Sequence, residues 1–529
     1  MVAPETIGRD GMRVAFMLAA AATLAYAPAL AEPVTIPVTV APTIAGPVSG
    51  RVIVFAQKTQ PDAKPVEAVD SSPFSPTDTA VAAREVASLS PGDVATVDAD
   101  TDTYPAAFSK LAPGLYRFQA VLDRNHDYNY GGRGAGDIVS PVVEARLPGP
   151  LPTLVLRDVV PESDPAASFA RLPEAERAPA LAAWQAAQPV DFVSPKLSAF
   201  WGRPVHMRGW VALPPGYDPR GRATYPTAYL TGGFGSTAAS ARFAAGRMIR
   251  RMAAGKMPPM LWVVLDESSP TGTHEFADSV NNGPWGEALT SELIPSLEKS
   301  YRMDARSSGR FLNGHSSGGW ATLWLQTRYP KLFGGTWSTS PDPSDFHDFT
   351  GIDIYAPGAN AYVDAAGKPI PLVRDQGREI ASLREFGKLE AVLGAYGGQF
   401  ASFDWVFSPK GPDGRPVPLF DRTTGAVDPA VAAYWRDHYD IAYRIRRDWP
   451  VLKPDLDGKI HILVGTADTF HLDGPAHRLK AVLDGLGARS SFEFLPGRSH
   501  FDVYQANGDP GGLYDRIAAE MYAVARPNR

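Results

Sequence analysis

Apolar residues change their spacing twice along this chain, and each change predicts a different kind of structure. Over residues 32–160 they come in short runs broken by Pro and Gly. Val34 to Val40 and Gly50 to Ala56 are rich in β-branched residues that often alternate with polar ones, Gly114 to Leu122 is entered by the turn Pro113-Gly114, and Leu154 to Val160 closes the region. A period of two between turn residues predicts strands. Several short strands without a long helical period predict a small all-β, sandwich-like N-terminal module. Residues 161–194 read as a partly helical linker: Ser163-Asp164-Pro165 supplies a cap and a first-turn proline, and the Ala-rich stretch that follows is interrupted by Pro173 and Pro179.

Over residues 195–529 short apolar runs alternate with helical patterns. The runs are Tyr225 to Leu230, Met260 to Leu265, Arg310 to Asn313, Lys459 to Val464 and Ser491 to Leu495. The first two are continuous and apolar, as suits strands covered on both faces. Ala238 to Ala254, Gly286 to Arg302 (with Pro295 near its middle), Ser317 to Arg328 and Ala476 to Leu486 read as helices. The alternation predicts an α/β domain with a mostly parallel sheet. Residues 341–457 interrupt it with a stretch rich in Gly, Pro, Asp and aromatics, expected to be a lid or substrate-facing insertion rather than a bare loop.

Length and composition narrow the picture. At 529 residues the chain exceeds the size of one core, so two domains are expected. A net charge of −6 gives no basic footprint for nucleic acid. With no cysteine there is no disulfide, Cys-ligated zinc or Cys nucleophile, and covalent chemistry falls to oxygen or nitrogen. Arg9 and Arg13, the apolar stretch Val14 to Ala27 and the site Ala29-Leu30-Ala31 predict a signal peptide over residues 1–31. The mature protein is therefore expected to be exported, periplasmic or secreted, without a membrane span.

The central chemical signal is Gly314-His315-Ser316-Ser317-Gly318, a G-x-S-x-G sequence between a predicted strand and a predicted helix. That context makes Ser316 a candidate nucleophile on a strained elbow and gives the Ser317 N–H a place at a helix N-terminus, aimed at a developing oxyanion. A serine needs a base. Of the ten histidines, His126 and His206 precede the core alternation, His274 and His438 sit in loops, and His461 lies inside an apolar strand. His500 follows the last strand, where this kind of sheet presents its base. Asp468, just past the strand Lys459 to Val464, is the expected carboxylate that orients His500, with Asp473 and Asp502 as competitors. The glycines of Thr231-Gly-Gly-Phe-Gly235 let a backbone amide approach a ligand; the Phe234 N–H is the expected second oxyanion donor, with Gly233 as the alternative.

Two weaker features complete the inventory. Asn282 and Trp285, in the segment Asn281 to Gly286, are candidates to line the cleft, and Trp201, Trp285, Trp320, Trp405 and Trp435 are candidates either for stacking on a substrate or for the core. Asp123, Asn125, Asp127 and Asn129 place oxygens at alternate positions, as a calcium loop does, but without its glycine and bidentate glutamate. No metal or cofactor is required by the proposed chemistry.

On these residues the chain resembles the "putative esterase" family of α/β-hydrolases. That family includes S-formylglutathione hydrolase, enterochelin esterases, feruloyl and acetyl-xylan esterases and mycolyltransferases. The resemblance runs from Arg208-Gly-Trp-Val-Ala-Leu-Pro-Pro-Gly-Tyr217 to the C-terminus. It rests on Tyr225-Pro226 leading to the oxyanion glycines, the Gly-His-Ser-Ser-Gly-Gly elbow, Gly465 to Asp468, and Gly497-Arg-Ser-His500. It implies an α/β-hydrolase fold and a serine esterase acting on a small-molecule or sugar-linked ester through an acyl-enzyme. Gly232-Gly233 stands where the family usually has His-Gly. An acyltransferase or a peptidase would use the same residues, and a non-catalytic binding protein is the reading from another class.

Overall fold

A computed structural model describes residues 34–528; the expected signal peptide lies outside them. The β-rich N-terminal part forms two sheets. The smaller joins Val94–Asp98, Thr35–Val40 and Leu154–Leu156. The larger is centred on Val48–Thr59, paired antiparallel with Thr79–Leu89 on one side and Gly114–Asp123 on the other.

Side chains alternate faces along a strand, and both faces of Val48–Thr59 are covered. Val52, Val54 and Ala56 pack between the two sheets with Ile36, Val38, Phe118 and Leu154. Ile53 and Phe55 point the other way and cluster with Val81, Val121, Leu389, Val392 and Leu393. The last three belong to the helix Leu383–Leu393, inside the insertion. Two-sided burial explains why Val52 to Ala56 is uniformly apolar. Arg51 anchors the same junction: its guanidinium donates to the Val392 carbonyl at 3.1 and 2.6 Å and pairs with Glu85 and Asp102 at 3.0 and 2.9 Å. It thereby serves a carbonyl that the end of that helix leaves without an internal partner.

The remaining chain builds an eight-stranded sheet. Its strands are β1 (Gln188–Val193), β2 (His206–Ala212), β3 (Thr227–Thr231), β4 (Leu261–Leu265), β5 (Arg310–His315), β6 (Gly335–Thr339), β7 (Ile460–Gly465) and β8 (Ser491–Leu495). They lie in the order β1-β2-β4-β3-β5-β6-β7-β8. Both pairings of β2 are antiparallel, and every pairing from β4 through to β8 is parallel. Parallel neighbours bring their C-terminal ends to one edge, and Ser316, Asp342, Asp468 and His500 all follow strands that end there.

Three details depart from the sequence expectations. β1 lies within the span expected as a linker and is the sheet's edge strand, where Pro189 is tolerated. β6 was not anticipated, because every residue of Gly-Thr-Trp-Ser-Thr is buried yet only Trp337 is large and apolar. The helix around Pro295 is continuous from Trp285 to Ser300, but Leu289–Leu293 is wound as a π-turn just before the proline. Such a turn absorbs the hydrogen bond that a proline cannot donate.

The insertion is a folded layer. It carries the helices Leu383–Leu393, Gln399–Phe407, Pro429–His438 and Ile441–Leu456. Phe346, Phe349, Phe403, Phe407, Trp435 and Tyr439 build its core, together with Trp320 and Trp324 from the helix Ser317–Arg328. The layer therefore packs directly on the helix that follows Ser316. Among the described residues no helix is long and apolar enough to cross a membrane.

Candidate active site

β5 ends at His315 and the next helix begins at Ser317, which leaves Ser316 alone on the turn with φ 60° and ψ −126°. A non-glycine residue held there stores strain, and the strain exposes its hydroxyl beyond the sheet edge. The helix can cross so closely only because Gly318 has no side chain: a Cβ there would stand 1.9 Å from the Gly232 carbonyl oxygen. Gly233 is pressed against the serine in the same way, since a Cβ on it would lie 2.7 Å from Ser316 Cβ and 3.3 Å from Oγ. The loop Gly232–Gly235, which carries Gly233 and Phe234, is thus in contact with the elbow that carries Ser317.

His500 and Asp468 meet at 2.9 Å, Nδ1 to Oδ2, and both are buried. The other oxygen of Asp468 accepts from the Phe470 and Leu472 amides at 3.0 and 3.3 Å. Burial is the largest influence on Asp468 and pushes its carboxyl up, but the His500 charge and the hydrogen bonds outweigh it and hold the group below its ordinary value. The two competitors are engaged elsewhere. Asp473 pairs with Arg374 at 2.8 Å, and Asp502 accepts from the Ser499 amide at 2.6 Å and pairs with Arg498. His315 lies beside His500 with ring centroids 4.4 Å apart; burial first, and the His500 charge second, push it down to about 3, so it stays neutral. His461 is packed flat on Trp337, as expected for a strand histidine.

Sequence reasoning missed two residues here. Asp342 follows β6, the strand that was not anticipated. Its Oδ1 accepts from Ser316 Oγ at 3.4 Å, its Oδ2 accepts from Ser317 Oγ at 2.6 Å, and its N–H donates to the Ser316 carbonyl at 3.1 Å. Burial, its largest influence, raises the Asp342 carboxyl to about 6 despite these donors. Glu267 and Glu275, both fully buried, are themselves pushed well up, chiefly by burial, and the Asp342 charge adds to both shifts. The second residue is Tyr130, from the N-terminal β-rich part. Its hydroxyl donates to the Ser236 carbonyl at 2.6 Å and its ring meets Phe234 edge-on at 4.8 Å, so it braces the loop Gly232–Ser236 from outside the main sheet. No local motif marks either residue.

Other expectations are corrected. Asn282 and Trp285 do not line an open cleft: both are buried, Asn282 accepts from Thr271, and Trp285 donates to the Asn282 carbonyl and stacks on His274 at 3.6 Å. Trp320 and Trp435 are core. Of the alternating oxygens in the loop 123–129, Asn129 turns away to donate to the Glu390 and Gly394 carbonyls, and Asn125 is exposed. Asp137 joins Asp123 and Asp127 instead, with one oxygen of each within 4.8 Å of the others. Asp123 accepts from the Asp127 and Tyr128 amides, and Asp137 from those of Gly134 and Arg124. These carboxylates fold the loop that presents Tyr130.

Comparison with known proteins gives a family and several relatives. The family described as "Putative esterase" matches residues 202–491. The esterases Rv1288 and MT1326 of two Mycobacterium tuberculosis strains are 31% identical over 166 residues, which is 30% of this chain and 35% of theirs. The matched segment is thus about a third of the length of these curated relatives. Among solved structures, a ferulic acid esterase from Anaeromyces mucronatus shares 15% identity with a TM-score of 0.35, covering 63% of this chain and 89% of its own. An S-formylglutathione hydrolase from Agrobacterium tumefaciens shares 15% with a TM-score of 0.36, covering 64% and 94%. The family match spans more than half of the chain and encloses the elbow, the oxyanion loop and Asp468: this protein belongs to the "Putative esterase" family.

Proposed function

We propose that this chain is a serine hydrolase of carboxylic esters with an α/β-hydrolase fold, acting after export. The observation that carries the reading is the buried His500–Asp468 pair at 2.9 Å, placed after β8 and β7 at the sheet edge where Ser316 stands on its strained turn. With Nδ1 committed to Asp468, His500 has Nε2 left to take the Ser316 proton as Oγ attacks the ester carbonyl. The oxyanion is held by the Ser317 N–H and by the Phe234 or Gly233 N–H. His500 then gives its proton to the leaving alcohol, and water, deprotonated by the same imidazole, releases the acid and restores Ser316. The N-terminal charge and apolar pattern supports export.

A fluorophosphonate probe tests the mechanism. It should label the wild type at Ser316, fail on Ser316→Ala, and label Asp468→Asn slowly, with turnover of that variant reduced by about 10³–10⁴-fold. Ester turnover retained by Ser316→Ala would place the nucleophile elsewhere. Adding an acceptor alcohol during turnover distinguishes hydrolysis from acyl transfer by product.

A further inference from the structure

Three phenylalanines gather beside the catalytic histidine, and one of them comes from the far end of the chain. Phe470 and Phe501 both set ring edges against His500, at 4.9 and 5.4 Å, and lie 5.9 Å from each other. Phe74, between the strands Val48–Thr59 and Thr79–Leu89, completes the group at 5.8 Å from Phe501 and 6.3 Å from Phe470. Phe501 is 65% exposed and Phe74 40%, where residues of this size are ordinarily covered. Two of the three positions are fixed by catalysis itself: the Phe470 amide donates to Asp468, and Phe501 adjoins His500. The third is supplied by the N-terminal β-rich part.

We propose that Phe74, Phe470 and Phe501 form the subsite for the leaving alcohol, and that the alcohol it accepts is aromatic or otherwise apolar. This rests on the esterase reading. The alcohol oxygen must receive its proton from His500, so the group attached to it departs past the histidine and along the rings that surround it. The three side chains offer no hydrogen-bonding atom, which favours an apolar ring over a polyhydroxy one, and ring pairs add attraction beyond area alone. Phe74 touches none of the triad, so it determines specificity without entering the chemistry.

The test uses the full chain with Phe74→Ala and Phe74→Leu, and reads kcat/KM on two ester series. In one the acetyl group is constant and the alcohol runs from ethanol to 2-naphthol; in the other the alcohol is ethanol and the acyl chain lengthens. Phe74→Ala should lower kcat/KM for 2-naphthyl acetate about five- to tenfold, change ethyl acetate and the acyl series less than about twofold, and leave deacylation of the shared acetyl-enzyme unchanged. Phe74→Leu should fall between. Equal losses in both series, or none in either, would overturn the assignment. A direct titration of 2-naphthol onto Ser316→Ala, with and without Phe74→Ala, reads the subsite without turnover. Loss of 2-naphthol binding with Phe74→Ala supports the subsite even where no ester is hydrolysed, and unchanged binding refutes it.

Discussion

Replacing Asp342 with Asn removes a carboxylate from the elbow while keeping its shape. The amide oxygen can still accept from Ser317, and the amide nitrogen can donate to Ser316 Oγ. In the folded protein burial raises the Asp342 carboxyl from its ordinary 3.8 to about 6. The folded state therefore binds a proton that the unfolded chain releases between those values, and stability falls as pH rises through the window. At about 1.4 kcal/mol per pH unit, the penalty grows from about 1 kcal/mol at pH 4.5 to about 3 kcal/mol at pH 8. Asp342→Asn escapes it. Urea unfolding of both proteins at the two pH values should show the variant gaining about 2 kcal/mol over the wild type between them. Groups that do not feel the Asp342 charge cancel in that difference; for Glu267 and Glu275, which do, burial is the larger cause of the upward shift. Parallel pH profiles for the two proteins would refute the conclusion that Asp342 is held against its preferred ionisation.

Two further substitutions probe how the N-terminal part supports the site. Tyr130→Phe removes the hydroxyl from the Ser236 carbonyl; we expect kcat/KM to fall about tenfold through a looser oxyanion loop, with Ser316 still labelled by a fluorophosphonate and the melting temperature nearly unchanged. Arg51→Ala strips the Val392 carbonyl of its donor, takes the guanidinium from Asp102 and leaves Glu85 with His126 alone. Thermal unfolding should report a loss of about 2–4 kcal/mol, and activity at low temperature should be retained.

The elements that sequence reading found are those whose own residues dictate them. The strand at Arg310, the glycines around Ser316 and the helix from Ser317 to Arg328 form one local unit; the structure gives that helix the expected bounds and carries the strand two residues further, to His315. Asp468 and His500 drew attention because each follows a strand that its own residues mark, Ile460–Gly465 by a nearly continuous apolar run and Ser491–Leu495 by alternating apolar positions. β6 was invisible for the opposite reason: its small and hydroxylated residues are buried by their neighbours, not by their own hydrophobicity, and Asp342 was lost with it. Tyr130 and Phe74 reach their partners from distant parts of the chain, and no local period or spacing encodes such a meeting. Asn282 and Trp285 misled because a polar, glycine-punctuated segment resembles a cleft rim even where packing seals it.

The sheet strand Val48–Thr59, apolar on both faces, sets a condition on how this protein can be divided. Its outer face is covered partly by Val69, Tyr104 and Tyr128 of the β-rich part itself and partly by Leu389, Val392 and Leu393 of the insertion. Cutting the chain between the β-rich part and the main sheet would therefore leave two sticky halves rather than two domains, each showing water a surface meant for the other. An enzyme built this way melts as one cooperative body, and a shortened version made to isolate the catalytic machinery should aggregate before it can be assayed.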